Sequence, residues 1–203
     1  MSDILRNGES AKRETAIYDM LLGLGLNVHD HIRRLRGYNK TQPYHNYQHM
    51  YQVALFAAEG ADYYGLELAE KKHLILAALY HDLNHSGDGA VSDAENIRVA
   101  CSMVEVILPG LEKDIDASYV ASLIRATQFP SVSEKTTITE QIICDSDLLQ
   151  NTAPDREEWF KGLSKETGRE VTYESTREWL AGNLDTLFHT DWAKEKVRIS
   201  FNL

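Results

Sequence analysis

Apolar side chains recur at helical spacing along almost the whole of this 203-residue chain. Spacings of three and four residues place side chains on one face of an α-helix, whereas the alternation typical of half-buried strands is scarce. The clearest stripes are Ile17–Met20–Leu21–Leu24–Val28–Ile32, Ile97–Cys101–Val104–Leu108, Leu111–Ile115–Tyr119–Val120–Leu123–Ile124 and Trp179–Leu180–Leu184–Leu187–Phe188. The chain is therefore predicted to be all-α.

The four prolines all fall between these stripes and mark the helix breaks, because proline lacks the backbone N–H that a helix interior needs. Leu-Pro-Gly at 108–110 is interpreted as a helix stop, and the longest predicted loop spans Asn84 to Val91. The predicted helices are 10–35, 46–64, 67–82, 93–108, 115–127, 137–149, 155–167 and 173–189, with a short one near 191–199. Residues 1–203 suffice for one sizeable core, so we expect a single bundle of eight or nine helices around a buried metal site.

The net charge of −10 argues against a broad basic surface for nucleic-acid duplexes or anionic membranes. A small phosphorylated ligand stays compatible with it, since a bound metal reverses the local field. The longest apolar run, 74–80, is too short to cross a bilayer, and the N-terminus lacks the apolar core of a signal peptide. Cys101 and Cys144 are interpreted as reduced core residues. We expect a cytoplasmic protein.

Within the stretch 76–87, an apolar run ends in adjacent His81 and Asp82, with His85 one turn later. Buried polar groups are costly unless they are satisfied, and a divalent cation satisfies both members of such a pair. Three other places carry residues of the same chemistry: His45 and His49, Glu95, and Asp145 and Asp147. Imidazole and carboxylate together suit zinc, iron, manganese and other borderline cations, and two His and two Asp from three helices can cage one ion in a bundle.

These motifs together resemble the HD-domain metal-dependent phosphohydrolase superfamily and, within it, the catalytic core of class I cyclic-nucleotide phosphodiesterases. Order and rough spacing agree over about half of the chain. The matching motifs are His45-Asn46-Tyr47-Gln48-His49, His81 to Gly87, Glu95-Asn96, Ala126-Thr127 and Asp147-Leu148.

The resemblance implies a role for each matched residue. It makes His45 the general acid that protonates the leaving oxygen. It makes His49, His81, Asp82 and Asp147 ligands of the metal. It places His85 and Glu95 around the waters of a second ion, to which Asp82 would bridge, and Asn46, Thr127 and Asp145 in the outer shell. The implied cofactor is one or two divalent ions among Zn, Mn, Mg, Fe, Ni and Co.

Several of these residues also have plain structural interpretations. Glu95 can complete a capping box with Ser92, and His85 can cap a helix end, where a protonated imidazole interacts well with the helix dipole. Asp145 and Asp147 cannot both face one ion, because they are two residues apart on a helix, and the leucine that follows favours Asp147. The remaining histidines are interpreted as structural or solvent-facing, and the tryptophans as packing residues: His29, His31, His73, His189, Trp159, Trp179 and Trp192.

The chain departs from the phosphodiesterases at two points. Ile97-Arg98 and Gln128-Phe129 stand where those enzymes carry further histidines, and 86–188 contains no histidine. This argues against the His-rich di-iron oxygenases and the cyclic-dinucleotide branch of the superfamily. Gln150 and Phe160 are available as the glutamine and the aromatic clamp that grip a purine, but the sequence does not select them.

The predicted function is metal-dependent hydrolysis of a small phosphate ester, a nucleotide phosphodiester such as a cyclic nucleotide. A diester fits best because an alkoxide leaving group benefits from a general acid. The alternatives are a nucleoside-monophosphate phosphatase and a non-catalytic scaffold that binds metal and nucleotide. The expected partner is a small phosphorylated substrate, with neither a nucleic-acid duplex nor a membrane.

Overall fold

The computed structural model describes residues 2–38, 41–130 and 134–203, with side chains from residue 8 onward. Within these ranges the chain forms ten α-helices, one 3-10 helix and no strand, so the all-α prediction is confirmed. The helices are α1 (Ser2–Gly23), α2 (Val28–Tyr38), α3 (Tyr47–Tyr63), α4 (Leu68–Tyr80), α5 (Asp93–Leu111), α6 (Ala117–Ala126), α7 (Ile138–Leu148), α8 (Arg156–Thr167), α9 (Tyr173–Leu187) and α10 (Asp191–Phe201). The 3-10 helix, Leu149–Thr152, joins α7 to α8.

The segment 10–35, predicted as one helix, is divided between α1 and α2. Gly25 adopts the left-handed conformation with φ of +68°. The N–H of Leu26 then donates to the carbonyl of Leu21 at 3.0 Å and closes the end of α1. A left-handed residue, where glycine is favoured, ends a helix even though the apolar stripe continues. This division gives ten helices rather than eight or nine.

The predicted stop at Pro109 is wrong, because α5 continues to Leu111 with Pro109 in its last turn. A proline so near the end of a helix removes one backbone hydrogen bond and leaves only two residues beyond it, so the cost is far smaller than in mid-helix. The predicted loop 84–91 is confirmed within the connection between α4 and α5.

Two main apolar clusters hold the helices together, beside a third of only a few residues around Tyr44 and Trp159. The larger involves α1 to α7 and contains the fully buried Tyr51 and Leu79, whereas the smaller joins the 3-10 helix to α8, α9 and α10. They meet at Gly60 of α3, where a Cβ would lie 2.8 Å from Ile142 and 3.1 Å from Trp192. Glycine thus lets α3 approach α7 and α10 closely.

In the part of the chain that the structure describes, no helix has both the length and the apolar character that a bilayer span needs. Both cysteines are free and buried.

Candidate metal centre

The first motif straddles the start of α3, and Asn46 is the N-cap of this helix. Its side-chain oxygen accepts from the backbone N–H groups of Gln48 at 2.9 Å and His49 at 3.4 Å. Its amide donates to two backbone carbonyls of the preceding turn. Asn46 thus acts as a helix cap, satisfying N–H groups that a helix start leaves without partners. The cap fixes the fully buried His49 in the first turn.

Four side chains from three helix ends converge at one point. His49 lies in the first turn of α3, His81 and Asp82 directly follow α4, and Asp147 lies in the last turn of α7. The Nε2 atom of His49 is 3.2 Å from Nε2 of His81. It is also 3.2 Å from a carboxylate oxygen of Asp82 and 3.2 Å from one of Asp147. Nε2 of His81 is 3.1 and 3.5 Å from the same two oxygens.

The spacing of these atoms fits ligands around a single ion. Atoms bound at about 2.0–2.2 Å to one ion in tetrahedral or octahedral geometry lie about 2.8–3.6 Å apart. Nδ1 of His81 donates to the carbonyl of Ala78 at 2.8 Å, which leaves the lone pair of neutral His81 on Nε2, facing the cluster. Two imidazole nitrogens and two carboxylate oxygens are therefore placed to bind a divalent cation.

The electrostatics of the cluster are also compatible with a bound cation. Burial favours the neutral forms, but the adjacent carboxylates outweigh it and raise the pKa of His49 and of His81. The imidazoles likewise hold the pKa of Asp82 and of Asp147 below the usual range, against the effect of burial. The carboxylates are thus ionised at neutral pH, and protons compete with a metal for the imidazole nitrogens.

Asp145 lies outside this cluster. It is fully buried, and its carboxylate accepts from the backbone N–H of His189 at 2.9 Å and from the N–H and hydroxyl of Thr190 at 2.8 and 2.6 Å. Burial raises the pKa of Asp145 to about 6. Asp145 fastens the start of α10 to α7, whereas Asp147 reaches the cluster, in keeping with their spacing of two residues on a helix.

His45 lies beside the cluster, and its partner, Glu166, is a residue that the sequence did not single out. Nδ1 of His45 lies 2.5 Å from one Glu166 oxygen. The other oxygen accepts from the backbone N–H groups of Tyr44 at 2.6 Å and His45 at 3.1 Å. Burial opposes ionisation of Glu166, but these donors outweigh it and lower its pKa. The ionised carboxylate therefore orients the His45 ring through a charge-assisted hydrogen bond.

Glu166 reaches His45 because α8 packs tightly on the chain before α3. A Cβ at Gly162 would lie 2.5 Å from the carbonyl oxygen of Pro43, so only glycine allows this approach. The two partners are 121 residues apart in the sequence. No local sequence motif joins them, and the sequence feature that reflects the contact is Gly162 in α8.

The ring of His85 covers one face of the His45 ring and is stacked on it, with 3.7 Å between the ring centroids. Nδ1 of His85 accepts from the N–H of Gly87 at 3.0 Å, and Nε2 lies 3.0 Å from the amide nitrogen of Asn96. Burial lowers the pKa of His85 to about 4. His85 is therefore neutral at physiological pH, and the interpretation as a protonated helix cap is wrong.

The structure does not bring Glu95 to the cluster. Its half-exposed carboxylate makes two hydrogen bonds with Arg98, at 2.6 and 2.8 Å. Ser92 caps α5 by accepting from the N–H of Glu95 at 3.3 Å, but Arg98 takes the carboxylate that would complete the capping box. The acidic and amide residues of this helix that line the cavity beside the cluster are Asp93 and Asn96.

A cavity of about 720 Å³ lies over the cluster, a volume typical of small-molecule sites. Polar lining comes from His45, His81, Asp82, His85 and Asp147, and apolar lining from Val91, Ile97, Phe129, Leu163 and Trp179. Phe129 and Trp179 are half-exposed and meet edge to face, with 6.5 Å between ring centroids. Thr127 also lines the cavity, although its hydroxyl donates to the carbonyl of Ile124 at 2.8 Å.

Neither candidate for purine recognition is among the residues described as lining this cavity. Phe160 is buried in the smaller apolar cluster. Gln150 is fully buried in the 3-10 helix, where its amide has no hydrogen-bond partner among the described residues. Besides the histidines, the aromatic residues that line the cavity are Tyr44, Phe129 and Trp179, and the sequence suggested only a packing role for Trp179.

The family model of the HD domain matches residues 46–152, more than half of the chain, and the chain belongs to this family. HD domains are generally metal-dependent hydrolases. A solved structure of LmjPDEB1 in complex with IBMX is similar to this chain, with a TM-score of 0.54 and 16% sequence identity over 94% of this chain and 80% of that one. At this identity the similarity shows the fold alone. Comparison with curated protein sequences gives no match.

Proposed function

We propose that this protein hydrolyses a phosphodiester of a nucleotide-sized small molecule, such as a cyclic nucleotide, with the help of a divalent metal ion. One observation carries the proposal: four ligand-type side chains converge beside a separate imidazole–carboxylate pair, and both groups line the same cavity. The HD-domain family supports hydrolysis, and the phosphodiesterase fold of LmjPDEB1 supports the diester.

In this proposal His49, His81, Asp82 and Asp147 hold the ion. A bound divalent ion supplies a water of lowered pKa and polarises a phosphoryl oxygen. The ligands come from helix ends that the core holds in place, and two of the four side chains, His49 and His81, are nearly fully buried. The expected metals are those that suit mixed imidazole and carboxylate ligands, with manganese and zinc among them.

His45 is proposed to protonate the oxygen that leaves phosphorus. Its side chain is 22% exposed and lines the cavity, so it is accessible to a ligand there. Glu166 accepts from Nδ1 and fixes the orientation of the ring, so that Nε2 is the atom that can donate a proton to the leaving oxygen. The stacked His85 ring restricts the motion of His45. A group that is neither a metal ligand nor buried serves general-acid catalysis better than it serves a structural site.

The lining of the cavity supports a substrate with a flat aromatic group. Phe129 and Trp179 offer ring surfaces on which a flat base can pack. Arg169 is the only lysine or arginine among the residues described as lining this cavity, beside six aspartates and glutamates, so a phosphate group there depends on a bound metal for most of its counter-charge. LmjPDEB1, with its similar fold, binds IBMX, which fits a site for a flat heterocycle.

The direct test is a turnover assay. Protein purified without a chelating tag is incubated with manganese and with 3′,5′-cyclic nucleotides, 3′- and 5′-nucleoside monophosphates and bis(p-nitrophenyl) phosphate. We expect cleavage of the diesters, with loss of activity toward the cyclic nucleotides in His45→Ala and loss of both metal and activity in Asp82→Ala. His73→Ala, remote from the cluster, is the matched control and should keep its activity.

Cleavage of monophosphates but not of diesters would replace the proposal by a nucleotidase. Metal and nucleotide binding without cleavage of any ester would establish the scaffold alternative.

A further inference from the structure

A second, smaller cavity adjoins the metal cluster. Its volume is about 110 Å³, and it shares Thr127, Phe129, Asp147 and Leu148 with the large cavity. Small-molecule pockets usually measure about 300–1,000 Å³, so this cavity can take one small group but not a nucleoside. The place where the two cavities adjoin contains a predicted metal ligand, Asp147.

Lys135 lines this small cavity and is an unusual residue to find there. Only 6% of its surface is exposed, and its ammonium nitrogen is buried without a hydrogen-bond partner in the described part of the chain. An ammonium group taken out of water without a paired charge is strongly destabilising. A buried lysine of this kind therefore needs an anion from elsewhere.

The neighbouring polar groups are already engaged. The Cys144 thiol donates to the carbonyl of Ala126 at 2.9 Å, and Asp145 accepts from His189 and Thr190. His189 also lines the cavity, but burial, aided by Lys135, lowers the pKa of His189, so its ring is neutral at physiological pH. Lys135 is thus the fixed positive charge of this small cavity.

We propose that the small cavity is an anion subsite in which Lys135 binds a second phosphate group of the substrate, one that is not cleaved. The claim that this anion belongs to the substrate rests on the proposed function, because the scissile phosphate would lie at the neighbouring cluster. Binding of the anion itself does not depend on turnover. The ammonium group would form charge-assisted hydrogen bonds with phosphate oxygens. The substrate is then a phosphate ester that carries an additional phosphate.

The test separates anion binding from catalysis by using metal-free protein and inorganic phosphate. Chelator-treated wild-type protein is melted at increasing phosphate concentration, with sodium chloride at the same ionic strength as the reference. We expect the melting temperature to rise with phosphate in a saturable way. Lys135→Met should weaken the apparent phosphate affinity at least tenfold, the loss expected when a hydrogen bond to a charged group is removed.

The matched control is Lys194→Met. This variant removes a lysine of α10 that forms an ion pair with exposed Asp185. This variant should respond to phosphate like the wild type. In phosphate-free buffer Lys135→Met should melt no lower than the wild type, because an unpaired buried charge has been removed. If Lys135→Met does not fold, Lys135→Gln serves for the same comparison.

A wild-type protein that phosphate does not stabilise, or a Lys135→Met protein with an unchanged response, would overturn the subsite. With the active metal-loaded enzyme, Lys135→Met should lower kcat/KM at least tenfold for a substrate with a second phosphate and change it less than twofold for one without; equal loss on both substrates also overturns the subsite. Absence of turnover in the wild type refutes the proposed function instead, since the phosphate titration requires none.

Discussion

Glu166→Gln tests the proposed role of His45 through a residue that does not belong to the metal cluster. The substitution keeps the size of the side chain and its hydrogen-bonding capacity toward the backbone N–H groups of Tyr44 and His45. It removes the negative charge 2.5 Å from Nδ1 of His45. The metal ligands are untouched, so we expect the metal content to stay at the wild-type level.

The magnitude follows from the contact. A hydrogen bond to a charged group contributes about 1.5–3 kcal/mol, and one between neutral groups about 0.5–1.5 kcal/mol. The Glu166 side chain is only 4% exposed, so solvent screens little of this difference. If the correctly oriented ring of His45 loses about 1.4 kcal/mol of stabilisation, its population falls about tenfold. We therefore expect kcat to fall about tenfold.

The assay compares leaving groups. A cyclic nucleotide releases a basic alkoxide that needs a proton, so in the variant kcat for this substrate should show the full loss. Bis(p-nitrophenyl) phosphate releases a weakly basic oxygen that needs little help from an acid, so its loss should be within about threefold. An equal loss on activated and alkyl esters, or a drop in metal content, would refute the general-acid role of His45.

The other predictions concern supporting residues. Asp145→Ala should lower the free energy of unfolding in urea by about 3 kcal/mol, because three buried donors lose their acceptor, while the metal is kept. Gly162→Ala should lower kcat at least tenfold with the metal retained, whereas Gly182→Ala, which has no neighbour within 4 Å, should not. Glu95→Gln should change metal content and kcat less than twofold; a large loss would return Glu95 to the site. The pKa of His85 falls from 6.5 to about 4 on folding. The free energy of unfolding should therefore decrease by up to about 3 kcal/mol as the pH is lowered from 6.5 to 4. In His85→Gln this decrease should be smaller.

The sequence predicted most of the helices and the convergence of the cluster because both depend on strong local patterns. Apolar periodicity with proline punctuation locates helices, and a His-Asp pair at the end of a buried run has few other uses. The error at the first helix arose because one left-handed glycine overrides a continuous apolar stripe. The predicted helix stop at Pro109 was wrong because a proline near a helix end disrupts very little of the helix.

Long-range contacts could not be predicted from local patterns. Glu166 meets His45 only through the packing of α8, and Lys135 gains significance only from its burial beside the cluster. Glu95 lies next to Asn96 in a motif of the family, but the preference of its carboxylate for Arg98 depends on side-chain geometry. Sequence therefore identified the residues that converge at the cluster, while tertiary packing determined which groups surround them.

Anomalous diffraction from crystals of the protein grown with manganese tests the central claim most directly. The account predicts a strong anomalous peak at about 2.0–2.2 Å from Nε2 of His49 and of His81 and from the carboxylates of Asp82 and Asp147. The peak should vanish in Asp147→Asn and persist in Asp145→Asn. If crystals grown with saturating manganese show no anomalous peak among these four side chains, the account is contradicted.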